Sequence, residues 1–150
     1  MTFAIRPARE DEYGTIARVW YDSWLSIGIA NEKDATLAEL RARIPKEVES
    51  GWELYAAELD GEIAAMLAFK RKENYLDQLF VEPSYHGQGI GKALLVFARE
   101  AMPDEMWLRT AEANIKAIAW YEREGFVREK LEQHPTNGRM MAYYRWKRLR

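Results

Sequence analysis

Three glycines fall within five positions of His86-Gly87-Gln88-Gly89-Ile90-Gly91-Lys92, and the chain then turns into an apolar pattern of helical period. That combination could hold an anion. A strand leading through a glycine turn into a helix exposes the first backbone N–H groups of the helix, and the helix dipole adds positive potential at the same end. Glycine leaves no side chain between those amides and an approaching ligand, so phosphate is the natural guest. Taken alone, the stretch reads equally well as a plain connecting turn. Two familiar phosphate motifs fail here. A P-loop needs glycine at position 86 and serine or threonine after the lysine, where the chain has His86 and Ala93. A dinucleotide fingerprint from Gly87 needs glycine at 92 and meets Lys92; from Gly89 it needs glycine or alanine at 94 and meets Leu94.

A second stretch, Asn114 to Phe126, reads NIKAIAWYEREGF. Asn114 suits a helix N-cap and Gly125 the position after its end, so the segment specifies a helix of about three turns. At roughly 100° per residue, Asn114, Ala117 and Tyr121 share one face, polar groups on either side of a small residue. Such a face leaves room for a ligand. In isolation the same segment reads as a capped core helix with an aromatic stripe, Trp120 and Tyr121.

The elements that must position these residues follow from the rest of the chain. Its 150 residues suit one domain over residues 1–150, and 48% apolar content without low-complexity stretches indicates a globular chain. No apolar run approaches the roughly 20 residues of a membrane span, and the start lacks a signal peptide's apolar stretch, so a cytoplasmic location is expected. Cysteine is absent, and His86 and His134 are far apart, which argues against thiol chemistry and a metal centre. A net charge of −2 gives no general attraction to nucleic acid or acidic membranes.

Periodicity predicts a strand at FAIRPA, a helix from Arg9 to about Trp24, and a second from Thr36 to Val48 interrupted at Pro45. WELYAAEL and EIAAMLAFK flank Asp60-Gly61, a tight-hairpin dipeptide, and NYLDQLFVEP is the next strand. A helix over about 90 to 102 follows, its stripe formed by Ile90, Ala93, Leu94, Phe97, Ala98 and Ala101. Then come a strand EMWLRT, the helix from Asn114, and two strands, FVREKLE and RMMAYYRWK. The order β-α-α-β-β-β-α-β-α-β-β predicts an α/β (α+β) domain with a mixed, mostly antiparallel sheet flanked by helices.

In LFVEPSYHGQGIGKALL the strand, proline, spacer, glycine run and amphipathic helix together resemble the acetyl-CoA-binding motif of the GNAT superfamily of N-acetyltransferases. The later NIKAIAWYEREGF resembles the family's second diagnostic region, and the element order matches its fold. The resemblance implies that acetyl-CoA is co-substrate and that its acetyl group passes directly to an amine, without a covalent enzyme intermediate. It implies that Gln88, Gly89, Gly91 and Lys92 meet the pyrophosphate, mostly through backbone N–H groups, and that Asn114 lies beside the cofactor. His86 departs from the family's glutamine or arginine, which leaves its own contact open. By position, the resemblance implies that the main-chain groups of Leu79 and Val81 bind the pantetheine arm and polarise the thioester carbonyl. Tyr121 matches the general acid for the departing thiolate.

A primary amine, with pKa near 10.4, is neutral in only about one molecule in a thousand at pH 7, so a base or water relay must help. Asp77 is the candidate catalytic base, because strand alternation puts it on the face of Leu79 and Val81; a structural carboxylate is the equal alternative. In this family the first two helices and last strands build the acceptor pocket, so Val19 to Asp34 should line it. Tyr21 and Trp24 there read either as stacking residues or as packing. The expected partner is a small-molecule or peptide amine, with no nucleic acid or membrane, and a homodimer stays open. Two rival functions remain: an acyl-CoA-binding module that transfers nothing, and nucleic-acid binding by the basic aromatic C-terminal strand. In that strand Met140, Ala142, Tyr144 and Trp146 share one face and Arg139, Arg145 and Lys147 the other, the pattern of a half-buried strand.

Overall fold

The computed structural model describes residues 2–149. Its strands are β1 (Ala4–Pro7), β2 (Glu53–Leu59), β3 (Glu62–Lys70), β4 (Tyr75–Val81), β5 (Glu105–Ala111), β6 (Val127–Gln133) and β7 (Met140–Lys147). Its helices are α1 (Tyr13–Ser26), α2 (Leu37–Glu49), α3 (Ile90–Ala101) and α4 (Ile115–Arg123), in the order the periodicity predicts. The strands form one sheet, β1-β2-β3-β4-β5-β7-β6, in which every neighbouring pair is antiparallel except β4 and β5. Asp60 and Gly61 close the β2–β3 hairpin at φ 51° and 79°. Among the described residues, no helix is long and apolar enough to cross a membrane.

Strand alternation sorts the core into two layers. Met66 and Ala68 of β3 meet α1 and α2 through Ile16, Trp20, Leu40 and Ile44. Leu67 and Phe69 meet α3 and α4 through Leu94, Leu95, Ala98 and Tyr121. A central strand covered by helices on both faces must be apolar on both, and Ala64 through Phe69 are all buried.

Two local expectations are corrected. The first helix begins at Tyr13, after a 3-10 turn at Glu10–Glu12, because the Glu12 carboxylate is held by Arg6 and by the Arg9 N–H at 2.8 Å. Pro45 does not interrupt α2. Its missing N–H costs about 3 kcal/mol in a helix interior. The helix is held through it by a Thr36–Glu39 capping box and by burial of Leu40 and Ile44 against α1.

Arg6 ties β1 to the 3-10 turn and to β2, bonding Glu12 at 2.6 and 2.8 Å and Glu58 at 2.8 Å. The Arg6 guanidinium lowers the Glu12 pKa from 4.5 to about 2. A depressed carboxylate contributes stability above its unfolded pKa and loses it as pH falls through the folded one. Glu12→Gln should therefore cost on the order of 2 kcal/mol at pH 7 and flatten the loss of stability between about pH 4.5 and 2. Urea unfolding across that range checks it; parallel wild-type and variant curves would remove Glu12 from the acid transition.

Candidate active site

β4 pairs with β3 along its length but meets β5 at one residue pair, Tyr75↔Trp107, whose rings stack with centroids 4.0 Å apart. Beyond that point the parallel strands part. A cleft of about 520 Å³ opens between them, lined by Leu79 and Val81 on one side and by Leu108 and Thr110 on the other. Glu82 N–H donates to Ala64 O at 2.8 Å, so antiparallel alternation makes Phe80 and Met66 the next mutually bonded pair. The N–H and C=O of Leu79 and Val81 consequently face away from β3, into the gap. The Val81 carbonyl accepts from Ser23 Oγ at 3.2 Å and from His86 Nε2 at 2.8 Å. His86 thus turns back onto β4 and closes its own loop.

The glycine stretch forms the end of this cleft. Gly87 and Gly89 adopt φ of 81° and 80°, the left-handed region that other residues rarely enter. A Cβ at either would meet nothing within 4 Å, so space is open over both. Gly89 is the N-cap of α3 without a side-chain cap, which leaves the first amides of the helix free of any side-chain acceptor among the described residues. Ile90, Leu94, Leu95 and Ala98 are buried and fix the direction in which those amides point. The Lys92 side chain pairs with Glu124, beyond the end of α4, so position 92 offers the cleft its backbone. Gln88 is exposed and does not line the cleft; Gly87, Gly89, Gly91 and Lys92 do.

Across the gap, Asn114 caps α4, its Oδ1 accepting from Ala117 N–H at 3.3 Å. Asn114, Ala117 and Tyr121 all face the cleft, as their helical spacing predicts. Tyr121 is 8% exposed and packs against Trp120 and Phe126, with ring centroids 5.0 and 5.4 Å away. Its hydroxyl bonds to no protein group among the described residues. Burial pushes the phenol above its usual range, so it keeps its proton throughout the neutral and mildly alkaline region.

Asp77 is where alternation misleads. The register runs Ala68↔Gln78 and Phe69↔Leu76, which leaves Asp77 as the extra residue of a β-bulge. A bulge reverses the side-chain order, so Asp77 joins the α1–α2 side while Leu79 and Val81 pack toward α3. The Asp77 carboxylate accepts from Trp52 Nε1 at 2.7 Å, Tyr75 OH at 3.2 Å and Gln78 Nε2 at 3.1 Å. It nonetheless lines the main cleft and also a second pocket of about 210 Å³ on the α1–α2 side of the split.

Trp20, Trp24 and Asp34, all within the segment from Val19 to Asp34, line this second pocket. Tyr21 does not; it packs against the core beneath α1 and α2. Periodicity did not single out Arg109 and Thr110 of β5, which line both cavities, or His134, which lines the second. The usable signal was alternation in EMWLRT, where buried Met106 and Leu108 set Arg109 on the other face. In β7, Ala142 and Tyr144 are fully buried and Arg99 covers Trp146 with its guanidinium 4.9 Å from the ring centre. The middle of that aromatic face is core.

The profile of the acetyltransferase (GNAT) family matches residues 16–126. The peptidyl-lysine N-acetyltransferase YjaB of Escherichia coli is 28% identical over 131 residues, 84% of this chain and 83% of that protein. N-alpha-acetyltransferase 30 of Saccharomyces cerevisiae is 37% identical over 78 residues, a match spanning 49% of this chain and 40% of the yeast protein. In fold, the chain is similar to the PaiA N-acetyltransferase of Thermoplasma acidophilum, crystallised with coenzyme A, with a TM-score of 0.73 at 22% identity over 98% of this chain and 99% of that one.

Proposed function

Because the chain belongs to the acetyltransferase (GNAT) family, we propose that its cleft moves the acetyl group of acetyl-CoA directly to an amine, small or peptide-borne. The observation that carries this reading is the meeting of a split sheet with an uncapped, glycine-led helix N-terminus. One feature suits an extended arm that needs backbone partners; the other suits a pyrophosphate.

Acetyl-CoA supplies an activated thioester; the chain supplies position, polarisation and proton handling. The backbone N–H groups from Gly89 to Lys92 bind the pyrophosphate, and open space over Gly87 and Gly89 admits it. Leu79 N–H, turned into the gap, donates to the thioester carbonyl and stabilises charge developing on its oxygen. Asn114 positions the arm beside α4. Asp77, the one carboxylate lining both cavities, draws the ammonium in and receives its proton directly or through water. As the C–N bond forms and the C–S bond breaks, Tyr121 gives the departing sulfur a proton. An unperturbed phenol is already less acidic than an alkyl thiol, by roughly 2 kcal/mol of transfer, and burial widens that gap. The hydroxyl therefore acts first as a hydrogen-bond donor, with transfer completed as bond cleavage raises the charge on sulfur.

Calorimetry tests the cofactor half of the reading. Acetyl-CoA should bind, coenzyme A should compete, and ATP and NAD should be weaker by on the order of tenfold or more. Failure of both acetyl-CoA and coenzyme A to bind would end the acetyltransferase reading, and a preference for ATP would point to a different nucleotide site.

A further inference from the structure

The second pocket carries a cation that its own carboxylates do not neutralise. Three arginines line it: Arg43, Arg109 and Arg139. Arg139 is committed to Asp34, with Nη2 at 2.8 and 2.7 Å from the two carboxylate oxygens, and lies over the Trp24 ring. Arg43 pairs with Glu47 at 2.9 Å, reaches the Asp77 carboxylate at the longer distance of 4.0 Å, and sits over Trp20 and Trp52. Arg109, half-buried in β5, has no carboxylate within 4.0 Å among the described residues. Its side chain donates to the Tyr143 hydroxyl at 3.3 Å and stands beside the Tyr75 hydroxyl, both neutral groups.

His134 adds a second donor to the same pocket. Its Nδ1 accepts from Thr136 N–H at 3.1 Å and Asn137 N–H at 3.2 Å, which leaves the ring proton on Nε2. Burial, then Arg109 and Arg43, lowers its pKa, so the ring is neutral near pH 7 and remains a donor there. Opposite in sign is Asp77, bridged toward Arg109 by Tyr75, whose hydroxyl bonds Asp77 at 3.2 Å. A pocket with one unpaired guanidinium and one carboxylate, both opening onto the acyl cleft, complements a molecule carrying both charges. At about 210 Å³ the pocket is smaller than the roughly 300–1,000 Å³ that drug-sized ligands need, which suits a compact guest.

We propose, resting on the acetyltransferase reading, that the acceptor is a small amino acid-like molecule whose carboxylate is held by Arg109 while its amine faces Asp77 and the thioester. Arg109 is then a specificity residue. It binds the unreactive end of the acceptor and so aims the reactive end through the split.

Matched acceptors test this directly. The twenty L-amino acids, their carboxamides, simple polyamines and a terminally blocked lysine peptide are offered with saturating acetyl-CoA, and thiol release is followed. At least one amino acid should be acetylated, with kcat/KM about ten- to a hundredfold above its carboxamide, mostly through KM. Arg109→Gln should bring that ratio within about threefold of one, and Arg109→Lys should hold it between the two. A merely structural role would lower both acceptors equally and leave the ratio unchanged, which overturns the proposal. So does equal use of acid and amide by the wild-type protein, a comparison that needs no variant to fold. Preference for the polyamines or the blocked peptide overturns it while leaving acetyl transfer intact. No transfer to any amine removes the acetyltransferase reading and this inference with it.

Discussion

Gly89→Val should lose acetyl-CoA binding almost completely while the protein stays folded. Gly89 holds φ at 80°, where a β-branched residue is strongly disfavoured, so valine either strains the loop by about 1–3 kcal/mol or swings it to a negative φ. Both outcomes re-aim the amides that begin α3. If the backbone holds instead, the branched side chain stands in the open space above the loop, where phosphate must approach. Survival of the fold is expected because that Cβ meets nothing within 4 Å and the helix is anchored from Ile90 onward. Calorimetry with acetyl-CoA, beside a thermal melt, separates the two effects. Normal affinity in a folded variant would reduce the glycine stretch to a connection between β4 and α3.

Tyr121→Phe should lower kcat by about a hundredfold, close to 3 kcal/mol of barrier, with little change in acetyl-CoA affinity. The substitution keeps the ring that packs between Trp120 and Phe126 and removes only the hydroxyl. That hydroxyl has no protein partner among the described residues, so its removal breaks no internal hydrogen bond and the melting temperature should hardly move. A rate loss at unchanged stability and affinity is the mark of a group that works on the leaving sulfur. Full turnover with a good amine acceptor would take Tyr121 out of the mechanism, and a parallel fall in stability would make it a core residue first. Burial also predicts that wild-type kcat shows no loss from ionisation of this phenol up to about pH 10, since its proton is held beyond the usual range.

Much of this site was legible because its signals are local. The left-handed glycines, the Asn114 cap and the 3.6-residue spacing of Asn114, Ala117 and Tyr121 each depend on a few neighbouring residues, and each appears where the sequence places it. Element order was legible for the same reason: a period of two or of 3.6 is written along the chain, whatever lies opposite it. The direction of the Leu79 and Val81 main-chain groups came from the resemblance, and the pairing of Glu82 with Ala64 supplies its geometry.

What escaped was decided between segments distant in the chain. Asp77 left the face of Leu79 because β3 skips it in pairing, and a bulge is a property of two strands that neither sequence displays alone. Pro45 stays inside α2 because Leu40 and Ile44 gain a core from α1, an energy absent from any helix read by itself. Lys92 is diverted to Glu124, 32 positions away. Arg109 is the clearest case: its charge is visible in EMWLRT, but that Asp34 and Glu47 are claimed by other arginines is known only once all three stand around one pocket. By itself the sequence determined which residues could bind a phosphate and donate a proton, because backbone geometry and helical spacing are local. The tertiary structure decided which charges meet, because ion pairing and strand register depend on which distant segments the core brings into contact.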